Sequence, residues 1–218
     1  MKTLVIGAGI YGATIALTLS EAGFDVDLIE KESDIMKVTT PISLRAHAGY
    51  FYARSPETMR ACKQNSVRFQ NTYPTGIVDR STHYYIIPKE GSKITGQGFL
   101  ESLEKYGLPY KRLKEFLVNE ELIDLCIGVE EYSYDPERLR EEVKERLANS
   151  NVKLLLNTDV SKTNLARYDL KIITAYASNN EVARVVVGKS IQEYEYRFCE
   201  KVIVRLPEAF HKKNFVVL

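Results

Sequence analysis

The feature that most constrains this chain is a glycine-rich turn, Gly7-Ala-Gly9-Ile-Tyr-Gly12, that joins a short apolar segment to a helical pattern. The apolar segment, Thr3–Ile6, is typical of a strand buried on both faces of a parallel sheet. Apolar residues then recur at helical spacing over Ile10–Ala22, and Gly23 favours a helix end there. Asp25–Glu30 follows as a second strand. This order of elements predicts a right-handed βαβ unit.

The spacing of the three glycines suits the binding of a pyrophosphate. Gly7 permits a tight turn, Gly9 lets the phosphates approach the backbone, and Gly12 lets the helix pack closely on the strand. The N–H groups and the positive end of the helix dipole then face the phosphates, so no cationic side chain is required. The backbone positions expected to bind the ligand are Gly7, Gly9, Ile10, Tyr11 and Gly12.

Glu30 closes the second strand, at the position where a carboxylate can accept hydrogen bonds from the hydroxyls of an adenosine ribose. Its charge repels a 2′-phosphate, which disfavours NADP. Lys31, the next residue, is included among the predicted ligand-binding residues. The simpler alternative is a surface glutamate after a glycine-rich turn in some other α/β protein, but strand, turn, helix and acid all occur in the expected order.

Composition excludes several classes of partner and site. The chain has 30 basic and 29 acidic residues, so no net charge attracts nucleic acid or an anionic membrane. The uncharged run Leu4–Leu19 is shorter than the roughly 18–20 apolar residues of a spanning helix and is interrupted by glycines. Neither the three cysteines nor the three histidines have metal-binding spacing, so we expect no metal, reduced thiols and a cytoplasmic location.

The remainder of the chain predicts a second, β-rich region. Residues 31–54 have no clear period and indicate a long loop. Helices are then predicted from Ser55-Pro56 to about Tyr73, over Gly98–Tyr106 and over Pro136–Asn149. Strands without regular helical crossovers favour a mostly antiparallel sheet. These strands are His83–Pro88, Leu122–Tyr132, Val152–Leu156, Asp169–Thr174 and Tyr194–Leu206.

The run from Gly7 through Ala16, Leu19, Gly23 and Val26 to Glu30 resembles the dinucleotide-binding motif of the FAD-dependent D-amino-acid oxidase superfamily. That superfamily also includes glycine and sarcosine oxidases, glycerol-3-phosphate dehydrogenase and 2-hydroxyglutarate oxidase. The motif alone does not separate FAD from NAD. Its position at the extreme N-terminus favours FAD, as does a second segment.

That segment, Arg45–Ser55, is similar to the His-x-Gly element of the superfamily, and in particular to the HAG-x-Y-Y stretch of hydroxyglutarate-type oxidases. The resemblance implies that Arg45, His47 and Gly49 lie near the isoalloxazine ring of the flavin.

Two later segments resemble further strands of the superfamily. Val152–Thr158 is similar to the strand that hydrogen-bonds the adenine, and Tyr168–Ala175 to the strand that ends in an alanine-threonine-glycine turn. Here the order is Thr174-Ala175-Tyr176, without that glycine. The resemblance adds Val160, Thr174 and Ala175 to the expected cofactor-binding residues.

If flavin is bound, the reaction expected is oxidation of a CH–OH or CH–NH bond by hydride transfer to the flavin. His47 is the candidate base because an unperturbed imidazole titrates near pH 6.5. Arg45 and Arg54 are candidates to hold a substrate carboxylate, and Tyr50 to line the pocket. The alternatives are a loop histidine bonded to backbone and arginines exposed to solvent.

The predicted fold is therefore α/β, with a Rossmann-like FAD-binding βαβ domain and a largely antiparallel, substrate-side region. The FAD-binding domain is expected to comprise residues 1–80 and about 150–180, and the substrate-side region about 81–149 and 181–218. Phe215–Leu218 ends the chain on an apolar run, which predicts a missing C-terminal segment or self-association. Besides an enzyme acting on a small molecule, a non-catalytic dinucleotide-binding module and an NAD-dependent dehydrogenase remain open.

Overall fold

The computed structural model describes residues 1–38, 45–114, 118–195, 205, 207, 208 and 214–218. The strands are β1 (Lys2–Ile6), β2 (Asp25–Ile29), β3 (Arg45–Ala46), β4 (Ile77–Pro88), β5 (Lys111–Arg112), β6 (Ile123–Tyr134), β7 (Lys153–Leu155), β8 (Leu170–Ile173) and β9 (Asn214–Val217). The helices are α1 (Ile10–Glu21), α2 (Pro56–Thr72), α3 (Gly96–Lys105), α4 (Pro136–Ala148) and α5 (Asn179–Val187). The chain forms two compact units: a first unit of Met1–Ser43 and Pro136–Val202, and a second unit of Leu44–Asp135 and Ile203–Leu218.

The first unit is built on a parallel sheet with the strand order β7-β2-β1-β8. Strand β1 lies between β2 and β8 in this sheet, and its Leu4, Val5 and Ile6 are buried, as is typical of an interior strand of a parallel sheet. Helix α1 buries Ala13 and Ala16 and ends at Glu21, two residues before Gly23, which has a positive φ. The predicted βαβ unit is confirmed.

The second unit is built on the long antiparallel pair β4 and β6. Strands β3 and β5 also pair antiparallel with β6, whereas β9 pairs parallel with β4. Its core contains the fully buried side chains Tyr85, Ile87, Phe99, Leu103 and Ile127. The prediction of a second, largely antiparallel region is therefore confirmed.

Two predicted strands belong to the other sheet. Strands β7 and β8 join the parallel sheet beside β2 and β1, rather than the antiparallel sheet that the clustering of strands suggested. The family resemblance, which assigned both strands to cofactor binding, agrees with this position. The clustering argument failed because local composition does not indicate a pairing partner that is distant in sequence. Of the strand predicted over Tyr194–Leu206, Tyr194, Glu195 and Arg205 are not in a strand, and the other residues lie outside the described part of the chain.

The division into units also differs from the predicted one in three segments. Helix α2 belongs to the second unit, because Met59 is buried in its core, whereas α4 and α5 belong to the first. The prediction placed residues 181–218, and with them most of helix α5, in the β-rich region. On local propensity the Val185-Val-Val187 run of this helix favours a strand. The helix nevertheless buries Ala183 and packs against β8, so tertiary contacts outweigh local propensity.

In the described part of the chain, no helix is both long enough and apolar enough to cross a membrane. Cys62 is part-buried and Cys126 buried, and neither forms a disulfide bond within the described residues, while Cys199 lies outside them.

Replacement of Gly12 by alanine tests the close packing of α1 on the strands. A Cβ atom there would overlap the carbonyl oxygen of Gly7 and lie 2.6 Å from Thr174 Oγ1. We expect Gly12→Ala to lower the free energy of unfolding by about 1–3 kcal/mol, as other overpacked sites do. Gly9→Ala is the control, because a Cβ atom at Gly9 has no atom of the described chain within 4 Å. Equal urea midpoints for the two variants would contradict the packing argument.

Candidate functional site

The turn after β1 is fixed by hydrogen bonds to both neighbouring strands. Gly7 N–H donates to the carbonyl of Ile29 at 2.9 Å, and the Thr174 hydroxyl lies 2.9 Å from the carbonyl oxygen of Gly7 and 3.0 Å from that of Ile6. Gly7 adopts φ +100°, and a Cβ atom there would lie 2.7 Å from the Thr174 carbonyl oxygen. Only glycine meets both conditions without strain.

Gly9 differs from its neighbours because neither strain nor crowding requires a glycine there. Its φ of −66° and ψ of 177° suit most residues, and a Cβ atom would enter open space. The missing side chain therefore serves to keep the space in front of the helix clear. This is the role that the sequence predicted for Gly9, where a pyrophosphate approaches the backbone.

The N-terminus of α1 presents unpaired N–H groups to this space. Gly9 is the N-cap and supplies no side-chain cap, and no acidic residue lies in the first turn. The N–H groups of the first helical residues lack intrahelical acceptors, so they and the positive end of the helix dipole attract phosphate. The side chain of Tyr11 is exposed to solvent and that of Ile10 half-buried. Both residues therefore contribute mainly through their backbone.

The Glu30 carboxylate is held in place by two backbone groups. Its Oε2 accepts from Ala8 N–H at 2.7 Å, and its Oε1 from Glu32 N–H at 3.0 Å. A carboxylate oxygen has two lone pairs, so each oxygen retains one for a further donor. Glu30 therefore has the fixed orientation and the acceptor capacity that two ribose hydroxyls require.

Gly7, Gly9 and Glu30 line one cavity of about 470 Å³ within the first unit, a volume in the range of small-molecule sites. Seven of the predicted cofactor-binding residues are among those that line it: Gly7, Gly9, Glu30, Lys31, Val160, Thr174 and Ala175. Ile10, Tyr11 and Gly12 are not part of the lining.

Several lining residues were not predicted. Met36, whose N–H donates to the carbonyl of Ala8 at 3.0 Å, lies in a loop without a recognisable pattern. Asp159 accepts from Ser161 N–H at 2.8 Å and so fixes the turn that carries Val160. The Asp-x-Ser spacing is a sequence signal for such a turn. Tyr176 also lines the cavity. The sequence signal for this residue is that it stands after Ala175, where the family resemblance leads one to expect a glycine.

In the second unit, a buried carboxylate supports the loop that carries His47. Glu131 is fully buried; its Oε1 accepts from Ala48 N–H at 2.8 Å and its Oε2 from the Tyr85 hydroxyl at 2.8 Å. His83 Nδ1 lies 3.6 Å from the same Oε2 atom. Sequence patterns gave no indication of this cluster, because its members come from β4, β6 and the loop after β3.

Burial raises the pKa of Glu131, while the hydrogen bonds from Ala48 and Tyr85 and the charge of Arg45 act in the opposite direction. Burial and the neighbouring Glu131 also raise the pKa of Tyr85. Tyr85 therefore stays neutral and serves as a hydrogen-bond donor. Its ring packs in the core of the second unit, where it stacks near Phe99.

The predicted catalytic residues all lie in the second unit, in different environments. His47 is half-buried, with its ring 5.8 Å from Phe51 and 5.7 Å from Tyr52. The Arg45 guanidinium lies 5.8 Å from the centre of the Phe51 ring. Arg54 is exposed.

Gly49 and Tyr50 occupy buried positions beside this loop. Gly49 has φ +117°, and a Cβ atom there would lie 2.9 Å from the Met59 carbonyl oxygen. The Tyr50 hydroxyl donates to the carbonyl of Pro109 at 2.7 Å, and its ring packs near Tyr85. Tyr50 is thus part of the hydrophobic core of the second unit.

Comparison with known proteins shows the family of the chain. The family model described as DAO, FAD dependent oxidoreductase, matches residues 2–187 of the chain. The chain belongs to this family. The glycine turn, Glu30, the cavity and the His47 loop all lie within the matched range.

Curated relatives share part of the chain. The FAD-dependent monooxygenase kojA of Aspergillus flavus is 27% identical over 176 residues, which are 74% of this chain and 39% of the fungal protein. A glycerol 3-phosphate dehydrogenase of Caloramator mitchellensis is 51% identical over 47 residues, 21% of this chain and 10% of that enzyme. The chain thus spans well under half of the curated relatives it matches.

Solved structures share the family fold. L-proline dehydrogenase from P. horikoshii superposes with a TM-score of 0.67 at 17% identity, over 85% of this chain and 55% of that one. Glycine oxidase from Geobacillus kaustophilus superposes with a TM-score of 0.58 at 15% identity, over 84% and 56% of the two chains. These similarities support the α/β fold with a parallel sheet.

The cofactor of the family is FAD, and the first-unit residues fit its ADP half. The open space at Gly9 admits a pyrophosphate, the α1 terminus supplies N–H donors, and Glu30 supplies oriented acceptors. An acid at this position disfavours the 2′-phosphate of NADP, as the sequence predicted.

Two substitutions separate cofactor retention from folding. We expect Gly9→Val to fill the space for the pyrophosphate and Glu30→Ala to remove two charged acceptors. Each should weaken FAD binding by roughly tenfold or more, measured by flavin fluorescence titration. Glu21→Ala, which removes an exposed acid of α1, is the matched control. Unchanged FAD affinity in Gly9→Val and Glu30→Ala, with both proteins folded, would contradict the assignment of these two residues to FAD binding.

Glu131→Gln tests the buried carboxylate. Because the pKa of Glu131 is raised in the folded protein, the folded state keeps a proton that the unfolded state loses as pH rises above about 4.3. As the pH rises above that value, the free energy of unfolding of the wild type should therefore fall relative to that of Glu131→Gln. Urea unfolding at a series of pH values measures the difference, and a constant difference between the two proteins would contradict the raised pKa.

Proposed function

We propose that the chain is the cofactor-binding part of an FAD-dependent oxidoreductase that oxidises a CH–OH or CH–NH bond of a small 2-hydroxy- or 2-amino-acid-like substrate. The observation that carries the proposal is the cavity lined by both Gly9, the N-cap of α1, and Glu30. Bound FAD supplies a hydride acceptor. The named activities of similar proteins, on L-proline, glycine and glycerol 3-phosphate, support small polar substrates of this kind.

His47 is the proposed base that removes the proton from the substrate hydroxyl or amino group. Its support is threefold: an imidazole suits proton transfer near neutral pH, the side chain is half-buried, and the loop is anchored through Ala48 to Glu131. Anchoring matters because proton transfer depends on heavy-atom distances of about 2.6–3.2 Å. The rings of Phe51 and Tyr52 further restrict the orientation of the imidazole.

Arg45 is the proposed partner of a substrate carboxylate. One guanidinium nitrogen, NH1, is buried and has no hydrogen-bond partner among the described residues, so it retains donor capacity. A planar guanidinium can bind a carboxylate through two parallel hydrogen bonds. Arg54 is a weaker candidate, since an exposed arginine gains little from pairing in water.

The visible spectrum of the purified protein tests the cofactor assignment. We expect a yellow protein with an absorbance band near ~450 nm, because protein-bound flavin absorbs there. An NAD-dependent dehydrogenase or an empty dinucleotide-binding module is colourless. A protein that remains colourless after incubation with excess FAD and gel filtration would contradict the proposal.

Anaerobic reduction of the flavin tests the proposed chemistry. A panel of glycine, L-proline, lactate, 2-hydroxyglutarate and glycerol 3-phosphate should contain at least one compound that bleaches the ~450 nm band. His47→Gln should slow that reduction by about 10²–10⁴-fold, with FAD content unchanged, because a general base contributes about that factor. Reduction at the wild-type rate in His47→Gln would exclude this residue as the base.

A further inference from the structure

Backbone strain in this protein is concentrated at the cavity. Among the described residues, the non-glycine residues with positive φ are Met36 (55°), Asn157 (52°) and Tyr176 (51°). Met36 and Tyr176 line the cavity, and Asn157 precedes Thr158, which also lines it. Such conformations are unfavourable for L residues and are retained where the surroundings or the function require them. Each of the three therefore calls for a physical explanation.

The folded chain accounts for two of the three residues. Asparagine tolerates the left-handed region well, and Asn157 N–H donates to the Glu32 carbonyl at 3.0 Å. Met36 is only 2% exposed, so the burial of its side chain offsets the strain. Tyr176 has neither explanation, because it is 73% exposed and is not a residue type favoured at this φ.

Tyr176 lies at the cavity, where its side chain can contact a bound ligand. It follows Ala175 directly after β8, in the turn that leads into α5, and it is the only aromatic residue among the described residues that line the cavity. The same lining provides an aliphatic wall from Val160, Val182 and Val185. Phosphates are drawn to the α1 terminus and ribose hydroxyls to Glu30, which leaves the purine as the group that an apolar wall and an aromatic ring suit.

We propose that Tyr176 is an adenine-binding residue, whose ring stacks on the base of the bound dinucleotide. This role rests on the assignment of FAD to the cavity. The ring has a large exposed apolar surface in the protein alone, and the adenine would remove part of it from water. The strained backbone is then the cost of directing the ring toward the ligand, and the affinity for the adenine offsets it.

Substitutions that separate the ring from the backbone test the proposal. Tyr176→Phe keeps the ring and the strain, whereas Tyr176→Asn and Tyr176→Gly remove the ring and accept the left-handed φ. Tyr194→Asn is the control, because Tyr194 is another exposed tyrosine of the first unit that does not line the cavity. The dissociation constants of ADP and FAD are measured by calorimetry on the apoprotein, and stability by urea unfolding.

We expect Tyr176→Asn and Tyr176→Gly to weaken ADP and FAD by the same factor, about tenfold, since a stacked base contributes on this scale. Tyr176→Phe and Tyr194→Asn should stay within about twofold of the wild type. Tyr176→Asn should also be at least as stable as the wild type in the absence of ligand, because the strain is relieved.

Three results would overturn the proposal. One is unchanged ADP affinity in Tyr176→Asn, and another is an equal loss in Tyr176→Phe, which would assign the effect to the hydroxyl. The third is a loss for FAD without a loss for ADP, which would place the contact on the flavin half. If the wild type binds neither ADP nor FAD, the FAD assignment itself fails, and the role of Tyr176 fails with it.

Discussion

The cofactor site depends on the packing of one turn between two parallel strands. The turn Gly7–Gly12 follows β1. Its Gly7 N–H donates to the carbonyl of Ile29 on β2, and the Thr174 hydroxyl at the end of β8 donates to the carbonyl of Gly7. The backbone at Gly7 and Gly12 approaches Thr174 so closely that side chains there would collide with it or with the turn. This contact fixes where α1 begins, and therefore where its N–H groups point.

The residues of the site are of two kinds: some are required by the fold, and others are positioned to contact a ligand. Gly7 and Gly12 are required by the fold itself, since their surroundings leave no room for a Cβ atom. Gly9 has room for one, and Glu30 is oriented by backbone donors with lone pairs to spare, so both can accommodate the proposed ligand. In the second unit Glu131 supports the loop, and His47 and Arg45 are the proposed base and carboxylate-binding residue.

The sequence was sufficient where a function depends on local chain geometry. The glycine spacing and the acid at Glu30 each act within one βαβ unit, so their pattern predicted the elements and the lining residues Gly7, Gly9, Glu30 and Lys31. Features assembled from distant segments leave no local pattern. The buried Glu131 cluster was not predicted, and β7 and β8, which pair with β2 and β1, were assigned to the cofactor-binding domain only through the family resemblance. Helix α5 was not predicted; its β-branched residues favour a strand on local propensity, and its packing on β8 decides the outcome.

The most direct test of the central claim is a crystal structure of the protein with ADP bound. We expect the pyrophosphate to lie against the backbone of Gly9 at the N-terminus of α1, with the ribose hydroxyls on the Glu30 carboxylate. ADP bound elsewhere, or a pyrophosphate held by lysine side chains away from α1, would contradict it.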